Sequence, residues 1–229
     1  MTGTLLLALA AAPDAALLDR IAERTRSVEA FTSEAQLTVK VVSDELDSDG
    51  KSKKHNELVF QVSRKDGKPH RVLISATEDG KDVSENTREE LAEQDEKNGE
   101  KQNKNGSMSQ ASPFHPEQRA KYAFALLAPS AAEPQFVRIA FQPAGDKSSE
   151  LMIGDATVDP QTGDLVRMSM RPSKNPTFVD RLYMELEFDA PTPAGRALSK
   201  LTAKGAGGIA FIKKRFAVVT TFSDYRARE

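Results

Sequence analysis

The chain has 229 residues with 32 basic against 34 acidic side chains, and a formal charge of -2 removes the overall electrostatic case for nucleic-acid binding. It contains no cysteine, which excludes disulfides, thiolate metal sites, thiol nucleophiles and a lipid-modified N-terminal cysteine together. Apolar residues at 38% beside charged ones at 29% imply a single core-bearing domain with polar segments lying outside it.

The apolar run from Leu5 to Ala12 contains Ala8-Leu9-Ala10, the A-x-A pattern of a secretory cleavage site, so residues 1–10 read as a signal peptide, although no Lys or Arg precedes the run. The domain is then 11–229, expected to be secreted. Asp14 follows Pro13 and can cap a helix. Leu17, Leu18, Ile21 and Val28 recur on one face, with Arg20, Glu23, Arg24 and Arg26 on the other, which predicts an amphipathic helix over 14–30.

From residue 35 the period becomes two: Ala35, Leu37, Val39 and Val41 alternate with polar neighbours. Leu58, Phe60 and Val62 form a second strand; Asp66-Gly67 signals a hairpin, and His70, Val72, Ile74 and Ala76 a third strand with those four on one face. Residues 78–112 lose nearly all large apolar side chains and are strongly acidic. The stretch 84–112 reads as a polar, mobile surface insertion, part of which can form a solvated helix near 84–97.

Alternation resumes with Tyr122, Phe124 and Leu126, then Val137, Ile139 and Phe141, then 151–158. The turn 159–163 leads into Val166, Met168 and Met170. Leu182, Met184, Leu186 and Phe188 alternate most cleanly, and runs at 198–204 and 209–222 follow, joined by a turn at Gly205-Ala206-Gly207-Gly208. About ten strands without intervening helical periods predict a mainly β (α+β) protein: a meandering antiparallel sheet, curved into an unclosed barrel, with the N-terminal helix across its concave face.

Chemistry-bearing motifs are scarce. The three histidines, His55, His70 and His115, stand apart and have no metal-ligand spacing. No nucleophile elbow, P-loop or dinucleotide-binding glycine pattern can be read, so the expectation is no catalytic residue, no metal and no cofactor. Two features remain. Lys213-Lys214-Arg215 lies in a basic C-terminal region and is a candidate docking patch for an anionic membrane surface or an acidic envelope protein. The aromatic and methionine-bearing face is a candidate cavity lining for acyl chains: Val39, Phe60, Ile74, Phe124, Ile139, Phe141, Met168, Met170, Met184 and Leu186, gated by the helix through Leu17, Leu18, Ile21 and Val28.

The apolar N-terminus, the helix ending S-V-E-A-F-T-S-E at 27–34, and the long strand series with V-D-P-Q-T-G-D-L at 158–165 together resemble the LolA-like superfamily of periplasmic outer-membrane lipoprotein carriers. The stretch R-P-S-K-N-P-T-F-V at 171–179 and the segments K-K-R-F at 213–216 and F-S-D-Y at 222–225 look like an uncharacterised bacterial branch of it. The resemblance implies an unclosed β-barrel with helical cover, and a monomeric, non-catalytic carrier of lipid or lipoprotein acyl chains acting in the periplasm of a Gram-negative bacterium, past the inner membrane, in transport and outer-membrane biogenesis. The alternative is an envelope protein-interaction or signalling module whose cavity is filled by its own side chains.

Overall fold

A computed structural model of the chain describes residues 11–65, 68–98, 112–209 and 212–227. Residues 1–10, read as a signal peptide, Asp66-Gly67, read as a hairpin turn, and residues 99–111 of the acidic stretch lie outside the described residues.

The N-terminal helix α1 (Ala15–Glu34) starts where Asp14 accepts a hydrogen bond from the Ala16 amide at 3.2 Å, and it runs four residues beyond the expected end. Its apolar stripe is narrow, with only Ile21 and Ala22 fully buried. An eleven-stranded antiparallel sheet forms the body. In chain order its strands are β1 (Gln36–Leu46), β2 (Ser52–Lys65), β3 (Lys68–Glu78), β4 (Lys81–Asp82), β5 (Tyr122–Leu127), β6 (Val137–Pro143), β7 (Met152–Val158), β8 (Leu165–Pro172), β9 (Val179–Glu187), β12 (Lys200–Ile209) and β13 (Ile212–Arg226); a separate small hairpin, β10 (Ala190–Thr192) and β11 (Gly195–Ala197), precedes β12.

The spatial order β4-β3-β2-β1-β13-β12-β9-β8-β7-β6-β5 corrects the expectation of a simple meander. The last strand inserts between the first strand and β12, so the two ends of the domain pair with each other at the sheet's centre. The outer strands β4 and β5 do not pair, and the sheet stays open. Near β5 the chain before α1 returns, and the Leu126 amide donates to the Ala11 carbonyl at 2.8 Å, blunting that edge.

Cross-strand register puts one apolar face on the concave side. Phe124 faces Phe141, Ile139 faces Ala156, Met168 faces Leu186 and Met170 faces Met184; further along the sheet Val39 lies between Phe222 and Phe60. This face is divided between two cores. The larger packs Ile21 of α1 with Phe114, Tyr122, Ile139, Phe141, Val158, Met168, Met170 and Leu186. The smaller packs Phe60, Leu73 and Ala76 with Val39, Leu58, Val62, Val83 and Leu91.

Three further corrections concern the first half of the chain and the glycine run. First, the helix expected near 84–97 is present as α2 (Ser84–Asn98), but it is not simply solvated: Leu91, with Val83 just before the helix, packs on the core of β2 and β3. The Ser84 hydroxyl accepts from the Ala76 amide at 2.8 Å, and Arg88 donates to the Ile74 carbonyl at 3.1 Å, so polar side chains satisfy the free edge of β3. At the other end of the stretch, Pro113 and Phe114 are fully buried; Phe114 stacks obliquely on Phe124 at 5.3 Å and edge-on to Phe141 at 5.9 Å. His115 caps the short helix α3 (Pro116–Arg119).

Second, β3 does not keep the expected face. A bulge shifts the register between Val59 and Phe60, so that Phe60 faces Leu73 rather than Ile74. Leu73 and Ala76 are buried, whereas Val72 and Ile74 are each 50% exposed, which removes Ile74 from any cavity lining. Third, 205–208 is no turn: β12 runs on through it, paired with β13 and β9, and the glycines leave room for Phe178 and Phe216. A Cβ on Gly207 would meet the Phe178 carbonyl oxygen at 2.2 Å, and one on Gly205 the Phe216 ring at 2.3 Å.

The bulge is directly testable. Leu73→Ala should cost about 2–5 kcal/mol, while Ile74→Ala should stay within about 0.5 kcal/mol, read from urea unfolding midpoints at unchanged m-value.

Candidate functional site

The helix is held over the sheet by arginine. Arg20 donates to the Pro160 carbonyl, and Arg24 donates to the carbonyls of Ala194 at 2.7 Å and Thr162 at 3.3 Å. The Arg24 guanidinium also lies 3.3 Å from the Asp164 carboxylate, whose side chain is only 12% exposed. Asp164 in turn accepts from the Arg196 amide at 3.2 Å. One buried carboxylate thus ties three elements: α1, the turn 159–164 and the β10–β11 hairpin.

Two glycines make this approach possible. Gly163 has φ +78, and a Cβ there would lie 2.7 Å from the Arg20 carbonyl oxygen; Gly195 has φ +129, and a Cβ there would meet Asp164 at 2.6 Å and Arg24 at 2.8 Å. The turn itself is closed by Asp159, whose carboxylate accepts from the Gln161 amide at 2.8 Å while its own amide donates to the Asp164 carbonyl at 3.0 Å.

Below the second half of the helix lies a cavity of about 280 Å³. Its apolar wall comes from Leu37, Leu165, Met168, Leu186, Phe188, Leu198 and Phe222, and α1 contributes Arg24, Thr25, Val28, Glu29, Thr32 and Ser33; Ser112, Arg196 and Tyr225 complete it. Tyr225 reaches the cavity where β13 is irregular: Asp224 takes φ 56, and the register against β1 shifts between Gln36 and Thr38.

The polar members of the wall are mostly engaged. The Tyr225 hydroxyl donates to the Leu198 carbonyl at 2.7 Å, and burial pushes its pKa well above the ordinary tyrosine range. The Glu29 carboxylate lies 3.3 Å from His115 Nε2; since the other ring nitrogen accepts from the Glu117 amide, Nε2 carries the proton and donates to Glu29. The Thr25 hydroxyl is the exception, buried with no hydrogen-bond partner among the described residues, an arrangement that costs about 1–3 kcal/mol.

The candidate lining residues separate into groups. Met168 and Leu186 border the cavity, and so does Val28 of the helix. Phe124, Ile139, Phe141, Met170 and Met184 share the concave face but are packed into the larger core, where Ile139 and Phe141 have no free surface to offer. Leu17, Leu18 and Ile21 pack on that same core from above. Val39 and Phe60 belong to the second core, and Ile74 points elsewhere, as described. Leu37, Phe188, Leu198 and Phe222 are visible as members of alternating runs, but only the pairing of β13 with β1 on one side and, through β12, with β9 on the other brings them to one place.

The basic tripeptide does not form one patch. Lys214 and Arg215 are successive strand residues and face opposite sides of the sheet. Lys214 pairs with Glu45 at 3.0 Å and Arg215 donates to the Ser48 carbonyl, so both are tied to the β1–β2 hairpin; the side chain of Lys213 lies outside the described residues.

The fold and site define an open antiparallel half-barrel with an apolar cavity beneath a docked helix. No family model matches the sequence, and no curated protein matches it. Among solved structures, the chain is similar to a DUF1329 family protein from Desulfovibrio piger, at 11% identity over 95% of this chain and 94% of that one, with a TM-score of 0.41. It is also similar to MucB in complex with MucA(peri), at 12% identity over 92% and 94% with a TM-score of 0.25. For the MucA/MucB complex of Pseudomonas aeruginosa the values are 12%, 91% and 93%, with a TM-score of 0.26. Likeness at this level concerns the course of the chain alone.

Two outcomes follow from the geometry. Asp164→Ala leaves Arg24 without its counter-charge and the Arg196 amide without its acceptor. It should cost about 2–4 kcal/mol, discounted for the part-exposed arginine, and speed hydrogen exchange of the α1 amides. The second concerns alkaline stability. Because the Tyr225 pKa is raised in the folded state, its contribution is complete below the unfolded value of 10.0 and is lost as pH climbs beyond it. Tyr225→Phe should therefore flatten part of the fall in stability above pH 10, with Tyr122, also raised by burial, supplying another part.

Proposed function

We propose that the protein is a non-catalytic periplasmic carrier that holds a lipid or lipoprotein acyl chain in the cavity between α1 and the sheet. The observation that carries this reading is the cavity: about 280 Å³, walled by leucine, phenylalanine and methionine, and bounded on one side by a helix whose own apolar stripe is narrow. That volume lies just below the roughly 300–1,000 Å³ seen for ligand pockets, room for no more than a single chain. One chain burying on the order of 300 Å² at about 25 cal/mol per Å² gains several kcal/mol, enough for reversible binding.

The absence of catalysis is part of the proposal. Its support is that the charged groups at the helix are committed to one another, Arg24 to Asp164 and Glu29 to His115. No helix among the described residues is long and apolar enough to cross a membrane. The alternative, a module for an envelope protein with a self-filled interior, has Phe114 in its favour, since that side chain occupies the concave face between Phe124 and Phe141.

The test is native mass spectrometry of protein secreted into a bacterial periplasm and purified without detergent, before and after organic extraction. The carrier reading expects extractable lipid or lipopeptide mass. Val28→Trp, which fills the cavity from the helix side, should abolish that mass while leaving the circular dichroism and melting temperature close to wild type. A clean mass in the wild type, with no uptake of added lipid or lipoprotein, would transfer the reading to the protein-binding module.

A further inference from the structure

The end of the sheet away from the cavity carries cations that the protein leaves without counter-charge. On β12, Ala206 faces Arg181 of β9 on one side and Arg215 of β13 on the other, so the two arginines share one rung. At the spacing of strands their backbones stand about 10 Å apart. Lys204 lies two residues back along β12 on the same face, opposite Tyr183. That face is the convex one, because Arg181 and Tyr183 alternate with Leu182, Met184 and Leu186, which point with the methionines of β8 to the concave side. Arg181 and Lys204 are exposed and form no ion pair among the described residues. Arg215 donates to a neutral acceptor, the Ser48 carbonyl, which leaves its charge uncompensated. Two carboxylates on this face are engaged elsewhere: Asp44 accepts from Ser52 and lies 2.9 Å from His55, and Glu185 accepts from the Tyr183 hydroxyl.

The same rim exposes aromatic surface. Phe178, three residues before Arg181, is 61% exposed, and its backbone is held in the left-handed region at φ 68. The conformation is fixed by neighbours: the Phe178 carbonyl accepts from the Gly208 amide at 2.8 Å and occupies the space that a Cβ on Gly207 would take. Strain spent on presenting an aromatic residue to solvent points to a contact made there. Tyr183, beside Lys204, is 44% exposed. Past these residues β12 and β13 project as a ribbon. Pairing with β9 ends at Gly207 and pairing with β1 at Arg215, yet the two strands stay joined through Gly208 with Lys213 and Ile209 with Ile212. In sequence the ribbon ends Ile209-Ala210-Phe211-Ile212, of which 210 and 211 lie outside the described residues, and it lacks the glycine, asparagine or aspartate that two-residue hairpin turns favour.

Resting on the carrier reading, whose cargo is an acyl chain exchanged with a bilayer, we propose that this rim docks on a membrane surface containing anionic phospholipid. Arg181, Lys204 and Arg215 bind head-group phosphates, and Phe178 and Tyr183 enter the head-group region, where aromatic rings are favoured. Uncharged residues lead from the rim along the concave face toward the cavity: Phe216 and Val218 on β13, and Leu182 and Met184 on β9. The rows end at Phe222 and Leu186 in the cavity wall. A bilayer at the rim therefore meets the surface along which a chain reaches the cavity.

The secreted protein is mixed with vesicles of phosphatidylcholine alone, and of phosphatidylcholine with phosphatidylglycerol, and binding is read by flotation at low and at physiological salt. It should bind the anionic vesicles far more tightly than the neutral ones, and binding should weaken as salt rises. Combining Arg181→Gln, Lys204→Gln and Arg215→Gln should weaken it roughly fivefold per charge removed, with an unchanged circular dichroism spectrum. The chain has no tryptophan, so Phe178→Trp supplies a single reporter whose emission should move to shorter wavelength on anionic vesicles. Phe178→Gly should weaken binding several-fold while keeping or raising the melting temperature, because glycine takes φ 68 without strain; a purely structural role would lower the melting temperature instead. Vesicle binding that survives the triple replacement, or an emission unmoved in the Phe178→Trp variant, overturns the docking assignment. Salt-sensitive binding to soluble polyglutamate without vesicle binding gives the rim to an acidic protein instead. Extractable lipid in a protein that binds no vesicle overturns the docking and leaves the carrier reading standing. Vesicle binding by a protein that neither carries nor takes up lipid removes the carrier reading and leaves the docking surface.

Discussion

The placement of α1 rests on a single buried carboxylate. Asp164, 12% exposed, holds the Arg24 guanidinium and the Arg196 amide at once, so the helix, the β7–β8 turn and the small hairpin are fixed relative to one another. A helix with only two fully buried residues gains little from hydrophobic burial alone, and its orientation needs a directional contact. Gly163 and Gly195 allow that contact by leaving room for the helix backbone and the arginine stem. The cavity is a consequence: the arginine end of the helix is drawn onto the turn, while its second half spans the sheet without filling the space beneath.

The concave face is larger than one helix can cover, and the protein divides the work. Ile21 and Phe114 close the region over β5–β9, and Leu91 of α2 closes the region over β2 and β3. Between them the centre of the sheet, where β1 meets β13, supplies Leu37, Phe222 and Tyr225 to the cavity. A strand pair made from the two ends of the domain therefore builds the site wall, and the site exists only when the whole sheet has formed. This is long-range organisation of the kind that slows folding, since the most distant segments must meet before the central ladder is complete.

Periodicity made the architecture legible before any coordinates. Two-residue alternation in nearly every strand marked an antiparallel, one-sided sheet, and Asp14 with the leucine spacing that follows marked the helix. In the acidic stretch the helix was legible but its anchoring was not: the sequence is dominated by solvated charge, and the few apolar residues that pack at the two ends, Val83, Leu91 and Phe114, are too sparse to form a period. The bulge at Phe60 was equally hidden, because an extra residue in one strand changes the face of Ile74 without changing the local pattern of apolar side chains. Glycines 205–208 looked like a turn when their absent side chains instead make room for Phe178 and Phe216.

The sequence by itself determined the class of fold, the apolar inner face and the identity of the covering helix, because these follow from the spacing of side chains along a local element. Tertiary structure alone decided which of those apolar residues remain beside a cavity and which are sealed in a core. Ile139 and Phe141 read like ideal lining residues and are fully packed, whereas Leu37 and Phe222 line the space. It also decided the charges: Lys214 and Arg215 are adjacent in the chain yet answer separate groups on opposite faces, while Arg24 and Asp164, far apart in sequence, form the contact that orients the helix. Period is a property of neighbours along the chain, but cavities and ion pairs are properties of neighbours in space, and only the register of strands joined across the full length of the domain specifies those.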